Sequence, residues 1–165
     1  RGQKPPAHGA SVGVATLLAW PLFARFAKDE LTKLNLDVIE KSRLTRGQRV
    51  EWMNTAFGET AAESIMRENP EDFLSWDEQL RRISAAQEHI EEIRQVISSL
   101  PQLERIKDAM RRLGSPMTPA SLGIDPKLLA LSMHCAKDYR ARYTLFKTID
   151  ECGLAQDYLQ EYPLK

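Results

Sequence analysis

The sequence predicts an all-α protein, a helical bundle of about seven or eight helices joined by short connections. Three observations carry this expectation. Apolar residues recur at three- and four-residue steps, period-two alternation is absent, and capping residues, prolines and glycines punctuate the chain at helical intervals.

Taken in order, the stretch from Val12 to Phe26 is apolar nearly all round, which predicts a helix at the centre of the bundle. Arg46 to Phe57 and Thr60 to Arg67 read as shorter helices parted by Gly58. The clearest helix opens at Ser75-Trp76-Asp77-Glu78, a capping box in which Ser75 and Glu78 satisfy each other's free backbone donors. Its apolar stripe runs Trp76, Leu80, Ile83, Ile90, Ile93, Ile97 and Leu100, with Ile93 expected deep in the core. Pro101 suits the first turn of a further helix carrying Leu103, Ile106, Met110 and Leu113, which Gly114 ends in a left-handed cap. Thr118-Pro119 opens a short turn closed by Gly123. Asp125-Pro126 opens a helix presenting Leu128, Leu131, Cys135 and Tyr139 on one face. The last two helices span Thr144 to Cys152, stopped by Gly153, and Leu154 to Tyr162.

The chain has 165 residues, enough to bury a core, and reads as a single helical domain over 1–165 without repeat or long linker. Lys plus Arg equals Asp plus Glu at 23 each, so no net charge draws it to nucleic acid or an anionic membrane. A helix-turn-helix module is disfavoured on the same ground. The apolar run from Val12 to Ala24 is shorter than a bilayer span and contains Pro21, so no membrane span is expected. Cys135 and Cys152 have no CxxC or disulfide-framework spacing, which suits a reducing, cytoplasmic setting. Arg1 stands where a methionine or a targeting pattern would begin a chain, and the sequence is expected to start within a longer protein.

No GxGxxG, phosphate loop, GxSxG elbow or HExxH is present. The chemistry narrows to three histidines. His8 stands in Pro5-Pro6-Ala7-His8-Gly9-Ala10-Ser11-Val12-Gly13-Val14-Ala15-Thr16, at the mouth of the most apolar helix. The prolines stiffen the approach, and Gly9 and Gly13 let another segment or a ligand come close. An imidazole there has the placement of a metal ligand; the plainer reading is a capping or surface histidine. His134 falls beside Lys127, Lys137 and Asp138 and is expected at the solvated edge of its helix. His89 lies among Glu88, Glu91 and Glu92, a polar face. Arg140 and Arg142 either complement a helix dipole or contact a phosphate or another domain.

The run from His8 to Thr16 resembles the HG-x-x-VGVGT segment of the sn-glycerol-1-phosphate dehydrogenases, in the iron-type alcohol dehydrogenase, glycerol dehydrogenase and dehydroquinate synthase superfamily. It departs at Ala15, where that family commonly has glycine. Leu113-Gly114-Ser115-Pro116, Leu122-Gly123-Ile124-Asp125 and Ala136-Lys137-Asp138-Tyr139-Arg140-Ala141-Arg142-Tyr143-Thr144 follow the same family's order and spacing. The resemblance implies a two-domain enzyme in which an N-terminal Rossmann-like half binds NAD(P)H and an all-helical C-terminal half, here 1–165, carries most of the metal ligands. It implies His8 as the last of three ligands, the others lying upstream of Arg1. A divalent ion, Zn²⁺ foremost with Fe²⁺ and Ni²⁺ also compatible, would polarise the carbonyl of dihydroxyacetone phosphate as hydride arrives from nicotinamide. The implied partners are that small phosphate substrate, the N-terminal half and further copies in a homo-oligomer. The competing expectation is a helical interaction or scaffold domain without chemistry.

Overall fold

The computed structural model describes residues 6–69 and 74–162. In chain order its helices are α1 (His8–Phe26), α2 (Leu36–Ser42), α3 (Arg46–Phe57), α4 (Glu59–Glu68), α5 (Trp76–Glu88), α6 (Ile90–Ser99), α7 (Leu103–Arg112), α8 (Pro126–Cys135), α9 (Leu145–Glu151) and α10 (Ala155–Tyr158). Short 3₁₀ turns lie at Leu31–Lys33 and Ala120–Leu122, and the described residues contain no strand. The all-α expectation holds. The chain divides into two compact units, one of Arg1–Asp29 with Glu91–Leu129, the other of Glu30–Ile90 with Ala130–Lys165.

In the first unit α1 packs on α7. The contact needs Gly13, because a Cβ there would stand 2.7 Å from the Met110 terminal methyl. The Trp20 indole N–H donates to the Pro101 carbonyl at 3.0 Å. Arg94 of α6 donates to the carbonyls of Ala27 at 2.8 Å and Asp29 at 3.0 Å, closing backbone acceptors just past the end of α1. α7 ends in a Schellman motif: Ser115 N–H donates to Met110 O at 3.0 Å, Gly114 N–H to Arg111 O at 3.0 Å, and Gly114 has φ +62°.

Two expectations fail here. α1 is not a central helix, since only Val14, Leu22 and Phe26 are buried in it. These lie on one i, i+4 stripe, and a helix packed along one stripe leaves its remaining apolar residues exposed whatever its composition. Counted from His8, α1 is also long and apolar enough to cross a membrane, because small and hydroxyl residues extend the apolar run, although core helices of soluble proteins pass the same measure. Leu113 is 82% exposed rather than on the buried face of α7, because the chain has already left the helix there.

The second unit is built on α5 against α9, with α3 against α4. Ile39, Ile83 and Cys152 form one buried cluster, flanked by Leu34, Trp76 and Leu154. Met53, Ala62 and Ile65 form another, flanked by Trp52, Phe57 and Met66. Gly153 (φ +71°) closes α9 through Leu154 N–H to Ile149 O at 3.0 Å, and a Cβ there would lie 2.8 Å from Ile39 Cγ1. Glycine is therefore required both for its backbone angle and for the approach of α2. Gln79 and Gln87 of α5 donate at 2.7 Å to the carbonyls of Glu151 and Leu31.

The expected single helix from Trp76 to Leu100 is interrupted at His89 (φ −101°, ψ 19°). No glycine or proline marks the break. α5 buries Gln79, Ile83 and Ala86 while α6 buries Ile97, leaving Ile93 half-buried and Leu100 exposed. α8 likewise buries Ala130, Met133 and Cys135 rather than Leu128 and Tyr139, which are exposed; Tyr139 lies beyond the helix. Asp125 caps α8 as expected, its carboxylate accepting Leu128 N–H at 2.9 Å.

These burials reverse the ranking of core positions. Ile83→Ala is expected to destabilise by about 2–5 kcal/mol, and Ile93→Ala by clearly less, because only a filled site leaves a cavity when truncated. Urea unfolding of both variants checks this; equal losses would mean the two sites are equally packed.

Candidate functional site

The second unit contains a cavity of about 620 Å³, and half of its described lining residues are charged. Its first wall is the start of α3. Thr45 accepts Gln48 N–H at 3.3 Å while its own N–H donates to Gln48 Oε1 at 2.9 Å, so the local sequence sets the helix start by a capping box. That start places Arg46 and Arg49 three residues apart on one side of the helix, with Arg43 just before it; all three line the cavity.

The deepest polar group is Asp138, which is 0% exposed. It lies in the turn after α8 and accepts from Arg49 Nη2 and from Lys137 Nζ at 2.8 and 3.1 Å. Lys137 also pairs with Asp150 Oδ2 at 3.1 Å. Burial pushes the Asp138 carboxyl above its ordinary range, opposed by the neighbouring Lys137 and Arg49 charges. On another wall Glu151 accepts from Arg82 Nη1 at 3.1 Å and from the Tyr143 hydroxyl at 2.7 Å. Arg82 lies 5.1 Å from the Tyr143 ring centroid. Burial raises the Glu151 carboxyl as well, while Tyr143 and Arg82 pull it back. The Tyr143 ring stands half exposed, but its hydroxyl is held among protein groups and is pushed up to about 12, chiefly by burial. Arg43, Arg46 and Lys147 complete the charged lining, and Lys147 is itself buried. The described lining holds no thiol, imidazole or hydroxyl in a nucleophile–base pair.

Sequence reasoning missed this cavity. It placed His134, Lys137 and Asp138 on a solvated edge, whereas Asp138 is fully buried, Lys137 nearly so, and His134 half-buried. The His134 Nε2 lies 3.0 Å from the Tyr162 carbonyl, and its ring meets Trp52 edge-on at 6.3 Å. The turn after α8 carries Lys137 and Asp138 inward, which helical periodicity does not anticipate. One signal was legible: arginines at 43, 46 and 49 repeat every three residues across a helix start. Arg140 and Arg142 sit in the connection leading to α9 rather than at a helix C-terminus, with Arg140 5.1 Å from the Tyr139 ring centroid.

His8 is the first residue of α1, in the first unit, and is exposed. Its preceding residue Ala7 offers no side-chain cap. Pro5 lies outside the described residues. Gly13 does admit a neighbouring segment, through Met110, but among the described residues nothing outside its own helix lies within 4 Å of where a Cβ on Gly9 would stand. Among the described residues no three His, Cys, Asp or Glu side chains are grouped so as to hold a metal ion. His8 offers one imidazole, and a catalytic metal takes three protein ligands, so these residues do not complete a metal site. His89 is exposed between α5 and α6. Cys135 and Cys152 are buried, as expected of small core residues, and burial pushes their thiols up to about 11 and about 12.

The chain is similar to three curated proteins named glycerol-1-phosphate dehydrogenase [NAD(P)+]. It is 33% identical over 69 residues to that of Geobacillus thermodenitrificans, a match covering 41% of this chain and 17% of the relative. Against the Bacillus licheniformis protein the figures are 32% over 81 residues, 48% of this chain and 20% of the relative. For Geobacillus stearothermophilus they are 37% over 60 residues, 36% and 15%. The matched segment thus spans a fifth or less of these relatives' length. No protein-family model matches the chain, and no solved structure matches it significantly.

Two outcomes follow from the buried groups. Asp138→Asn leaves Arg49 and Lys137 beside a neutral amide and should destabilise by about 3–5 kcal/mol in urea unfolding. Asp108→Asn, which removes one of two exposed carboxylates paired with Arg111, should change stability by less than about 1 kcal/mol. Both thiols should react with Ellman's reagent at pH 8 far more slowly in the folded chain than in guanidinium; rapid reaction of the folded chain would contradict their burial.

Proposed function

We propose that this chain is the helical, C-terminal part of a glycerol-1-phosphate dehydrogenase-like oxidoreductase that reduces dihydroxyacetone phosphate with NAD(P)H. The observation that carries the reading is the similarity to three curated proteins of that one name, at 32–37% identity over 60–81 residues. The His8 to Thr16 segment and the all-helical fold support it, since both are what that family's C-terminal half carries. In this reading His8 contributes one imidazole to a divalent metal site whose other ligands, like the nicotinamide pocket, come from outside the chain. Its exposure at the first position of α1 leaves the ring accessible to such a site. Zn²⁺, Fe²⁺ and Ni²⁺ all accept imidazole with carboxylate.

A helical interaction domain without chemistry is the competing reading, and kinetics separate the two. The 165-residue chain, mixed with dihydroxyacetone phosphate and NADH or NADPH, should show no turnover, and calorimetry should show only weak zinc binding. In a longer protein carrying this segment, turnover should be present, and His8→Ala should lower kcat more than the about 10–100-fold typical of groups that merely orient a ligand. An active longer protein whose His8→Ala variant keeps normal turnover and metal content would remove His8 from the ligand set. A longer protein with no dehydrogenase activity would favour the interaction domain.

A further inference from the structure

We propose that the connection 139–143 of the second unit is a docking surface for an acidic segment of a partner protein, a property separate from the dehydrogenase reading. Tyr139-Arg140-Ala141-Arg142-Tyr143 runs between α8 and α9 outside any helix, and all five residues are exposed. The composition is the reverse of an ordinary solvated turn. The stretch holds no Gly, Pro, Asn, Asp or Ser, and every side chain but that of Ala141 is Tyr or Arg. Tyr and Arg are enriched where proteins bind one another, because each brings a large contact area together with directed hydrogen bonds. Tyr139 and Tyr143 are 54% and 51% exposed. Neither Arg140 nor Arg142 is ion-paired with a described residue, and the contact of Arg140 is with the Tyr139 ring, 5.1 Å from its centroid.

The segment is held at both ends. Just before it, Asp138 is buried against Arg49 and Lys137. At its end the Tyr143 hydroxyl donates to Glu151 Oε2 at 2.7 Å and accepts from Thr148 Oγ1 at 3.3 Å. The Tyr139 ring in turn lies 6.3 Å from that of Phe57, at the end of α3. A loop fixed in this way loses little conformational freedom on binding, so more of the contact energy appears as affinity. The partner's chemistry follows from the groups on offer. Each guanidinium presents paired N–H donors that match a carboxylate, and the exposed tyrosine rings suit an apolar side chain between the acids. A nucleic-acid strand fits less well. Arg140 on Tyr139 and Arg82 on Tyr143, each 5.1 Å from the ring centroid, occupy ring faces on which a base would stack. The chain also carries no net positive charge to hold a phosphate backbone.

The test is fluorescence anisotropy of the full chain with short labelled peptides in which leucine alternates with glutamate, glutamine or lysine, and with a single-stranded RNA of similar length. The glutamate peptide should bind saturably, and the glutamine and lysine peptides should not. Arg140→Gln with Arg142→Gln should weaken that binding at least about tenfold, the size of one lost charge-assisted hydrogen bond. Tyr139→Ala should weaken it too, which simple charge attraction would not predict. Arg112→Gln, at an exposed position of α7, should leave it unchanged. Should Tyr139→Ala lose its helical circular-dichroism signal, the arginine variants carry the test, since both positions are exposed. Absence of saturable binding of the glutamate peptide, equal binding of the glutamine peptide, equal weakening by Arg112→Gln or tighter binding of RNA would overturn the proposal. So would a dimer of the free chain in sedimentation that the double arginine variant abolishes, because the loop would then serve a second copy.

Discussion

The second unit is organised around one buried carboxylate. Asp138 has no exposed surface and is held from two sides, by Arg49 of α3 and by Lys137 of its own turn. A buried carboxylate without partners would neutralise itself or unfold its surroundings, so these contacts constrain where α3 and the end of α8 lie. Lys137 extends the constraint to α9 through Asp150. Three separate stretches of sequence are thereby tied to one point. Asp138, Arg49, Lys137 and Asp150 all stand on the wall of the cavity, so the groups that fix these elements also line it.

Elsewhere the fold is closed by a humbler device, the long polar side chain that reaches a backbone carbonyl of another element. Arg94 does this for the residues following α1, Gln79 for the end of α9, and Gln87 for the 3₁₀ turn at Leu31–Lys33. Each spans more than 50 residues of sequence, so it orders tertiary structure while satisfying a helix end. The apolar clusters around Ile83 and Met53 supply non-directional attraction; these hydrogen bonds supply direction.

Two kinds of information about function reside in different parts of the chain. The segment beginning at His8 is informative through its resemblance to a dehydrogenase family, and its structure adds only that the imidazole is exposed at a helix start. The cavity is informative through its geometry, with no motif to announce it. The first supports a reading of a larger enzyme. The second shows charged side chains from distant parts of the sequence gathered on one cavity wall.

What the sequence determined by itself was local. α3 runs over the expected Arg46–Phe57, Asp125 caps α8, and Gly114 and Gly153 end their helices at positive φ, because caps and left-handed glycines act within about one turn of chain. The arginines at 43, 46 and 49 were visible too, but not their common destination. Tertiary structure alone decided which faces are buried. It interrupted the helix at His89, turned the buried face of α8 to Ala130 and Met133, left most of α1 unburied, and drew Lys137 and Asp138 inside. The physical reason is that periodicity reports how apolar a face is, whereas burial depends on what packs against it. A charged side chain in a turn has no period at all, so the interior position of Asp138 becomes legible only when Arg49, 89 residues away, arrives beside it.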